Sequence, residues 1–500
     1  MVVKGNWNKM LFNSLHFLLF FPLVTLIYFV IPQRVRYLWL LAASYYFYMC
    51  WNAKYALLIA TSTLITYASG LLIQKAGSRR ALAKTWVAIS FGSNLAILFF
   101  FKYFDFAVES LARAFSLVHI QLNVPTFDIL LPVGISFYTF QALSYTMDVY
   151  RAEIKAERNL LKYALFVSFF PQLVAGPIER SKNLLTQIHQ KHTFCYDRMK
   201  SGLLLMLWGF FEKLIIADRA AIFVNSVYER YRAFGTVELV LASVLFAVQI
   251  YCDFGGYSHI AIGAARVMGF QLMDNFHQPY FARSIKDFWR RWHISLSTWF
   301  RDYLYIPLGG SRCKRLRHHF NVMVTFLVSG LWHGASWSYV AWGGLHGVYQ
   351  VIGQETQALR KKMQQKLGCR VDTFGWRFFQ TIGTFVLVDI AWIFFRAPGC
   401  GAALQILVQI FTRFNPWVIS DGSLLFHGLS GIELFILFCG ILVLLAVDFL
   451  REKGVLLGQI LRQQPLLFRW GIYLGGLLVI VVFGVYGQTY DASQFIYFQF

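Results

Sequence analysis

Apolar stretches long enough to cross a lipid bilayer recur along the whole of this 500-residue sequence. A helix needs about 20 apolar residues to span a hydrocarbon core of about 30 Å. The composition agrees, because 57% of the residues are hydrophobic and only 14% are charged. The sequence therefore predicts an all-α polytopic membrane protein with a single membrane domain over residues 1–500. Its clearest spans are 11–31, 35–49, 55–73, 85–104, 203–216, 237–251, 376–395, 432–447 and 472–485.

Three further apolar segments contain Gly, Pro and polar residues: 129–148, 160–177 and the stretch around Leu331. Irregular backbone at membrane depth is tolerated only where protein or a water-filled cavity covers its polar groups. We therefore expect about eleven or more spans together with re-entrant segments. The first apolar run lacks a small-residue cleavage site, so we interpret it as a retained helix and not as a signal peptide.

The net charge of +22 is explained by membrane orientation, and no nucleic-acid partner is expected. The basic residues lie in short loops between apolar runs, which is the positive-inside pattern. The lipid bilayer is the expected partner of most of the chain. The seven cysteines show no CxxC or Cys/His spacing, so we expect neither a disulfide framework nor a zinc site. The predicted cytoplasmic loops are 75–84, 180–200, 283–317, 360–370 and 451–469.

Residues 283–317 form a basic, tryptophan-rich segment, RSIKDFWRRWHISLSTWFRDYLYIPLGGSR followed by CKRLR. Helical periodicity places its aromatic residues on one face and its arginines outside that face. This pattern predicts an interfacial helix at the cytoplasmic surface, with His293 at the edge of the apolar face. The alternative is a membrane-surface helix whose histidine only bonds a neighbour and whose basic residues attract anionic lipid headgroups.

Residues 320–359 carry basic residues on both flanks, so both ends should be cytoplasmic. The segment is about two spans long and must turn back, which predicts a hairpin broken at residues 333–336 with His333 at its apex, deep in the membrane. Trp332 and Trp337 would wall an elongated ligand, and an imidazole there suits general acid/base chemistry. The alternative is a buried histidine bonded to a carbonyl, which is our interpretation of His346. Four glycines allow close backbone approach: Gly330, Gly334, Gly343 and Gly344.

Two further stretches are polar within apolar surroundings: PQLVAGPIER at 171–180 and YCDFGGYSHIAIG at 251–263. The prolines and glycine of the first indicate a broken or re-entrant helix. In the second, Asp253 and Tyr257 share a face if one helix continues through Gly255 and Gly256. Those glycines make that continuity doubtful. Each stretch could line a pathway or could be a loop.

Together these motifs carry a resemblance. DFWRRWHISLSTWFRDYLYIPLGG (287–310) and GLWHGASW (330–337), with the two upstream stretches, resemble the membrane-bound O-acyltransferase (MBOAT) family. The similarity is greatest to the bacterial branch of alginate and peptidoglycan O-acetyltransferases, with the teichoic acid D-alanyl exporter nearby. MLFNSLHFLLFF and SYYFYMCWN near the N-terminus fit the same branch, so the resemblance covers nearly the whole chain.

The resemblance implies a helical ring with re-entrant helices and a central tunnel that joins a cytoplasmic donor funnel to an outer acceptor funnel. It assigns the central catalytic histidine to His333 and a supporting histidine to His293. The implied enzyme lies in the bacterial cytoplasmic membrane. It takes an acetyl group from a cytoplasmic thioester donor, which is either acetyl-CoA or an acyl carrier protein. An extracytoplasmic SGNH-type partner would then place it on a cell-surface polysaccharide. No metal and no bound cofactor are expected.

The expected donor and substrate path combines aromatic, polar and cationic side chains. Phosphate groups on the donor would suit an arginine rim. The path residues are Trp292, Trp332, Ser336, Asp253, Tyr257, Arg290, Arg291 and Arg301.

The C-terminal tail, residues 488–500, ends in the aromatic run FIYFQF. The basic loop 451–469 should be cytoplasmic, so the last helix delivers the tail to the outer side. The tail is then either an aromatic-belt anchor or a segment that inserts into the outer funnel. A similar ending in polysaccharide-acetylating family members favours insertion. Tyr497 would then be an acyl relay, since phenoxide is a good leaving group.

Two alternatives to polysaccharide O-acetylation stay open from the sequence. One is D-alanyl transfer toward teichoic acid, although the extra C-terminal helices and the in-chain aromatic tail favour O-acetylation. The other is a secondary transporter, which also has broken helices and buried polar residues. Transporters usually contain paired halves, and neither histidine motif has a second copy.

Overall fold

The computed structural model describes residues 10–121, 131–174, 176–366, 368, 370–486 and 496. Over these residues the regular structure is helical. The first eleven α-helices are α1 Leu15–Val30, α2 Arg36–Met49, α3 Tyr55–Ala76, α4 Arg80–Leu98, α5 Phe104–Ser116, α6 Ile135–Tyr150, α7 Leu160–Ser168, α8 Phe170–Leu173, α9 Thr186–His189, α10 Tyr196–Phe211 and α11 Asp218–Glu229.

The second half of the chain continues in the same way. Its helices are α12 Thr236–Met268, α13 Ile285–Arg291, α14 Ile294–Phe300, α15 Arg315–His333, α16 Trp337–Glu355, α17 Gln357–Lys366, α18 Phe374–Arg396, α19 Cys400–Thr412, α20 Gly431–Glu452, α21 Leu457–Gln463 and α22 Leu466–Phe483. Single π-helical turns lie at Phe99–Tyr103, Ser181–Leu185, Glu212–Ala217 and Arg301–Tyr305. Short 3-10 turns lie at Gln33–Val35, Tyr231–Ala233, Pro279–Phe281, Pro416–Ile419 and Ser423–Phe426.

The chain forms two compact units, Met1–Met206 with Tyr257–Met273 and Leu207–Gly256 with Asp274–Phe500. Six of the helices in the described ranges are long and apolar enough to cross a bilayer: Tyr55–Ala76, Arg80–Ser116, Thr236–Met268, Phe374–Arg396, Gly431–Glu452 and Leu466–Phe483. The protein is therefore a multi-pass membrane protein. Other predicted spans are shorter or interrupted, such as α1 with 16 residues. Helix length and composition alone thus support fewer spans than the eleven or more predicted.

In the first unit the helix break predicted around residues 160–177 is present. Helix α7 ends at Ser168, and α8 covers only four residues before the chain leaves helical geometry. The side chain of Gln141 donates to the freed carbonyl of Phe166 at 2.6 Å, and Gln172 donates to both that carbonyl and Gln141, each at 3.0 Å. Buried amide side chains therefore satisfy the backbone groups that the break releases.

Helix α12 corrects one expectation, because it runs unbroken through Gly255 and Gly256. A Cβ atom on Gly256 would lie 2.7 Å from the carbonyl oxygen of Gly209 on α10. Gly256 therefore allows α12 to pack closely against α10 and does not mark a turn. Asp253 and Tyr257 consequently lie on one helix face, as their spacing permits.

Candidate active site

Helices α15 and α16 form the hairpin that contains His333. Helix α15 ends at His333, Gly334 is extended, and Ser336 caps α16 by accepting a hydrogen bond from the backbone N–H of Ser338. The two arms approach closely at glycines: a Cβ on Gly330 would lie 2.2 Å from the carbonyl oxygen of Tyr339 on the opposite arm. The hairpin thus places an imidazole at a helix end that cannot shift without separating both arms.

His293 lies between two short helices, so the single interfacial helix predicted over 283–317 is wrong. Helix α13 ends at Arg291 and α14 starts at Ile294, with His293 in the left-handed region at φ 42° and ψ 55°. A non-glycine residue in that region is strained and is held there by its surroundings. Asn275 provides that restraint, because its carbonyl accepts from the N–H of Ile294 at 2.9 Å and its side chain accepts from Ser295 at 2.6 Å.

The break brings the two predicted histidines together. Their ring centroids are 6.3 Å apart, and both side chains are buried. The indole of Trp332 lies beside both rings, at 6.0 Å from His293 and 5.0 Å from His333. His293 also contacts Phe254 at 4.6 Å, and His333 contacts Trp342 at 4.9 Å. One small bound group could therefore contact both imidazoles inside a largely aromatic enclosure.

Burial sets the charge of His293, which lies outside the six candidate spans. Removal from water lowers the pKa of His293 to about 3. The imidazole is therefore neutral at physiological pH and offers one donor and one acceptor nitrogen. Such a group is suited to orient or hydrogen-bond a reactant.

A cavity of about 490 Å³ is lined by Ile294, next to His293, and by Ser329, one turn before His333. Its lining includes the cations Lys286, Arg290 and Arg301, of which the two arginines were predicted to belong to the donor rim. Arg291 is not among them. Its guanidinium forms a bidentate pair with Glu452, at 2.6 and 3.2 Å, and also bonds Asp287 at 3.1 Å.

Two other predicted path residues and one predicted wall residue have structural surroundings of their own. Trp292 is buried against Phe288 and Trp392, with centroids at 5.4 and 5.1 Å. Tyr257 stacks on Phe12 at 5.2 Å within the first unit. Trp337, which we expected to wall the ligand, is 57% exposed.

Trp289 is a cavity-lining residue that the sequence analysis did not select. Its indole N–H donates to Nδ1 of His346 at 3.2 Å. That bond agrees with the structural interpretation of His346, although its partner is a donor indole N–H and not an acceptor carbonyl. Its position four residues before His293 in the sequence could have marked Trp289 as a neighbour of the site.

A second cavity, of about 250 Å³, lies beyond the turn of the hairpin and is lined by Ser336, Ser338, Tyr339 and Ile496, among others. Ile496 belongs to the C-terminal tail and is only 4% exposed. Its backbone N–H donates to Oδ2 of Asp253 at 2.8 Å. Tyr497, the proposed relay, lies outside the described residues, and its prediction stays untested.

These features define a multi-pass membrane protein with a buried histidine pair. Residues 151–395 match the model of MBOAT, the membrane-bound O-acyltransferase family. The chain is 40% identical over 413 residues to the probable alginate O-acetylase AlgI of Pseudomonas putida, covering 82% of each chain. It is 34% identical over 434 residues to the peptidoglycan O-acetyltransferase of Helicobacter pylori, covering 80% of this chain and 79% of that one.

A more distant relative is the teichoic acid D-alanyltransferase of Bacillus subtilis, 29% identical over 245 residues, which are 46% of this chain and 61% of that one. The class is thus a membrane acyltransferase. The chain belongs to the membrane-bound O-acyltransferase family, as its motifs indicated.

Proposed function

We propose that this acyltransferase moves an acetyl group from a cytoplasmic thioester across the bacterial cytoplasmic membrane for O-acetylation of a cell-surface polysaccharide. One observation carries the proposal: residues on either side of His333 line two different cavities. Ser329, one turn before His333 on α15, lines the cationic cavity, and Ser336, just after it, lines the cavity at Ile496.

The cationic cavity is suited to a phosphate-bearing thioester, either acetyl-CoA or an acyl carrier protein. Its volume of about 490 Å³ is typical of cavities that bind small molecules and cofactors. Arg290 and Arg301 are both exposed, so they can meet phosphate oxygens, while the aromatic wall formed by Trp289 and Phe326 suits the acyl arm.

In the proposed reaction the acceptor is the phenol of Tyr497. His333 takes the phenolic proton as the oxygen attacks the thioester carbonyl, a new C–O bond forms, and the C–S bond breaks. The protonated His333 then returns the proton to the departing thiolate. Neutral His293 would hydrogen-bond the donor and stabilise charge on the carbonyl oxygen.

The tyrosyl ester would next pass its acetyl group to an extracytoplasmic SGNH-type partner, which esterifies the polysaccharide. Relatives named for alginate and peptidoglycan O-acetylation align over 82% and 80% of the chain, whereas the D-alanyltransferase aligns over 46%. This difference in coverage supports O-acetylation over D-alanyl transfer. Membership of an acyltransferase family makes the transporter alternative unnecessary.

His333→Ala tests the proposal in cells that carry the native partner. We expect loss of ester-linked acetate from the surface polysaccharide at unchanged membrane abundance of the protein. His319→Ala is the matched control, because His319 lies on the same helix, pairs with Glu355 at 3.0 Å and lines neither cavity. A normal acetate content in the His333→Ala strain would overturn the assignment.

A further inference from the structure

Both carboxylate oxygens of Asp253 accept hydrogen bonds from other residues of the second unit. Oδ1 accepts from Nζ of Lys213 at 2.5 Å, and Oδ2 accepts from the backbone N–H of Ile496 at 2.8 Å. Lys213 and Asp253 are 1% and 2% exposed. A buried ion pair therefore binds, through Asp253, the main chain of the C-terminal tail 243 residues further on.

Lys213 is held in place from two sides. It lies in the π-helical turn Glu212–Ala217, and its Nζ is also 2.8 Å from Oδ1 of Asp218. Turns of this type often occur at functional sites. A buried carboxylate is stable only when it is paired and hydrogen-bonded. Lys213 thus neutralises Asp253 and fixes its rotation, so that Oδ2 stays directed at Ile496.

We propose that Asp253, oriented by Lys213, is the docking residue for the C-terminal tail and sets how deeply Tyr497 is inserted. The consequence for Tyr497 rests on the proposed function. The hydrogen bond holds the main chain of Ile496, the residue before Tyr497 in the sequence, against a buried ion pair. Loss of this contact is expected to slow the relay, because a misplacement of about 1 Å at a reacting group can reduce turnover about 100-fold.

Asp253→Asn is a sharp perturbation because an amide has only one acceptor oxygen. The carboxylate accepts from two donors, Lys213 and Ile496, so the amide must present its NH₂ group to one of them. Ile496→Pro removes the other half of the contact, because proline has no backbone N–H. Ile496→Val is its control and keeps the N–H. Asp389→Asn controls for loss of a carboxylate, since Asp389 accepts from Ser243 of α12 at 2.8 Å.

Tail docking is measured on the purified full-length protein in lipid nanodiscs. Chymotrypsin cleaves after Tyr497, and mass spectrometry follows release of the terminal fragment. Each rate is divided by the rate for the same variant after unfolding, which removes any effect of residue 496 on the protease. We expect Asp253→Asn and Ile496→Pro each to raise this ratio about tenfold or more, as befits loss of a hydrogen bond to a charged group. The two controls should stay at the wild-type value.

The double variant Asp253→Asn/Ile496→Pro provides the decisive comparison. Two changes that remove the same hydrogen bond should not add, so the double variant should match the single variants within about twofold. Additive effects, or wild-type protection in Ile496→Pro, would overturn the docking role. Ile496→Pro keeps the test valid even where Asp253→Asn lowers the yield of folded protein, because it leaves the ion pair intact.

The same measurement separates docking from acyl relay. Tyr497→Phe keeps the aromatic ring that chymotrypsin recognises, and it should stay protected while losing transfer activity. Full activity in Tyr497→Phe with loss of protection in Asp253→Asn would refute the relay and keep the dock. An inactive Tyr497→Phe with a fully protected Asp253→Asn would refute the dock and keep the relay.

Discussion

Substitution of Gly343 by alanine tests whether the tight crossing of the hairpin holds His333 in place. A Cβ at Gly343 would lie 2.2 Å from the carbonyl oxygen of Phe326 and 3.1 Å from Cα of Gly330. The oxygen contact is about 1 Å or more shorter than an ordinary carbon–oxygen contact. Because the obstructing atoms belong to the backbone, no side-chain rotation relieves the overlap, and α15 and α16 must separate.

The expected cost follows from that geometry. Overpacking of this kind costs about 1–3 kcal/mol of stability. A shift of about 1 Å at a reacting group can reduce turnover about 100-fold. Gly344 is the matched control, because its new Cβ would meet only Cδ2 of Leu327 at 3.5 Å. Alanine at position 344 should be neutral or stabilising by up to about 1 kcal/mol, since it is the better helix former.

Thermal unfolding in detergent and transfer of labelled acetyl groups measure the two effects. Gly343→Ala should lower both the unfolding midpoint and the turnover, by at least tenfold for turnover. Gly344→Ala should leave both near the wild-type values. Equal behaviour of the two variants would show that the close crossing does not position His333.

Three further predictions follow from the site. Neutralising Arg290 and Arg301 together should raise the KM for the donor about tenfold and weaken the salt dependence of that KM. Arg291→Gln should instead lower the unfolding midpoint, because it leaves Glu452 unpaired. An unchanged donor KM in the double variant would return the segment to a lipid-surface role. Burial lowers the pKa of His293 to about 3, so replacing its ring should not alter the pH profile of turnover above pH 5. His293→Asn should keep more turnover than His293→Ala. Asparagine also tolerates the left-handed backbone, where alanine costs about 1–2 kcal/mol relative to glycine. Tyr497→Phe should abolish acetylation at normal protein levels, and full activity in that variant would leave the tail as an anchor.

The hairpin illustrates what the sequence could establish. Basic flanks on both sides of an apolar segment of two spans required a turn, and the predicted break fell at residues 333–336. The structure ends α15 at that residue. The closeness of the arms was also expected, because small residues recur where the helices meet.

The local structure at His293 could not be obtained in the same way. The sequence RRWHIS contains no Gly or Pro, so helical periodicity extends across it without interruption. The left-handed break depends on Asn275, whose carbonyl and side chain capture Ile294 and Ser295. A tertiary contact of this kind overrides local propensity and leaves no periodic signal.

Charge partners from distant parts of the chain could not be predicted from the sequence either. Arg291 was assigned to the donor rim from its place on a helical wheel, but Glu452, 161 residues away, binds it. Asp253 was assigned to the substrate path, and its partners are Lys213 and the main chain of Ile496. Single-sequence patterns report which residues are costly to bury, and they do not report which partner compensates them.

Transfer of acetyl from a labelled thioester to the chain itself tests the central claim most directly. Purified protein would be incubated with ¹⁴C-acetyl-CoA or a ¹⁴C-acetylated carrier protein, quenched, and its C-terminal peptide analysed by mass spectrometry. We expect an ester-linked acetyl group on Tyr497 in the wild type and in His319→Ala, and its absence in His333→Ala. A C-terminal peptide that acquires the same label in His333→Ala, with the protein folded, would contradict it.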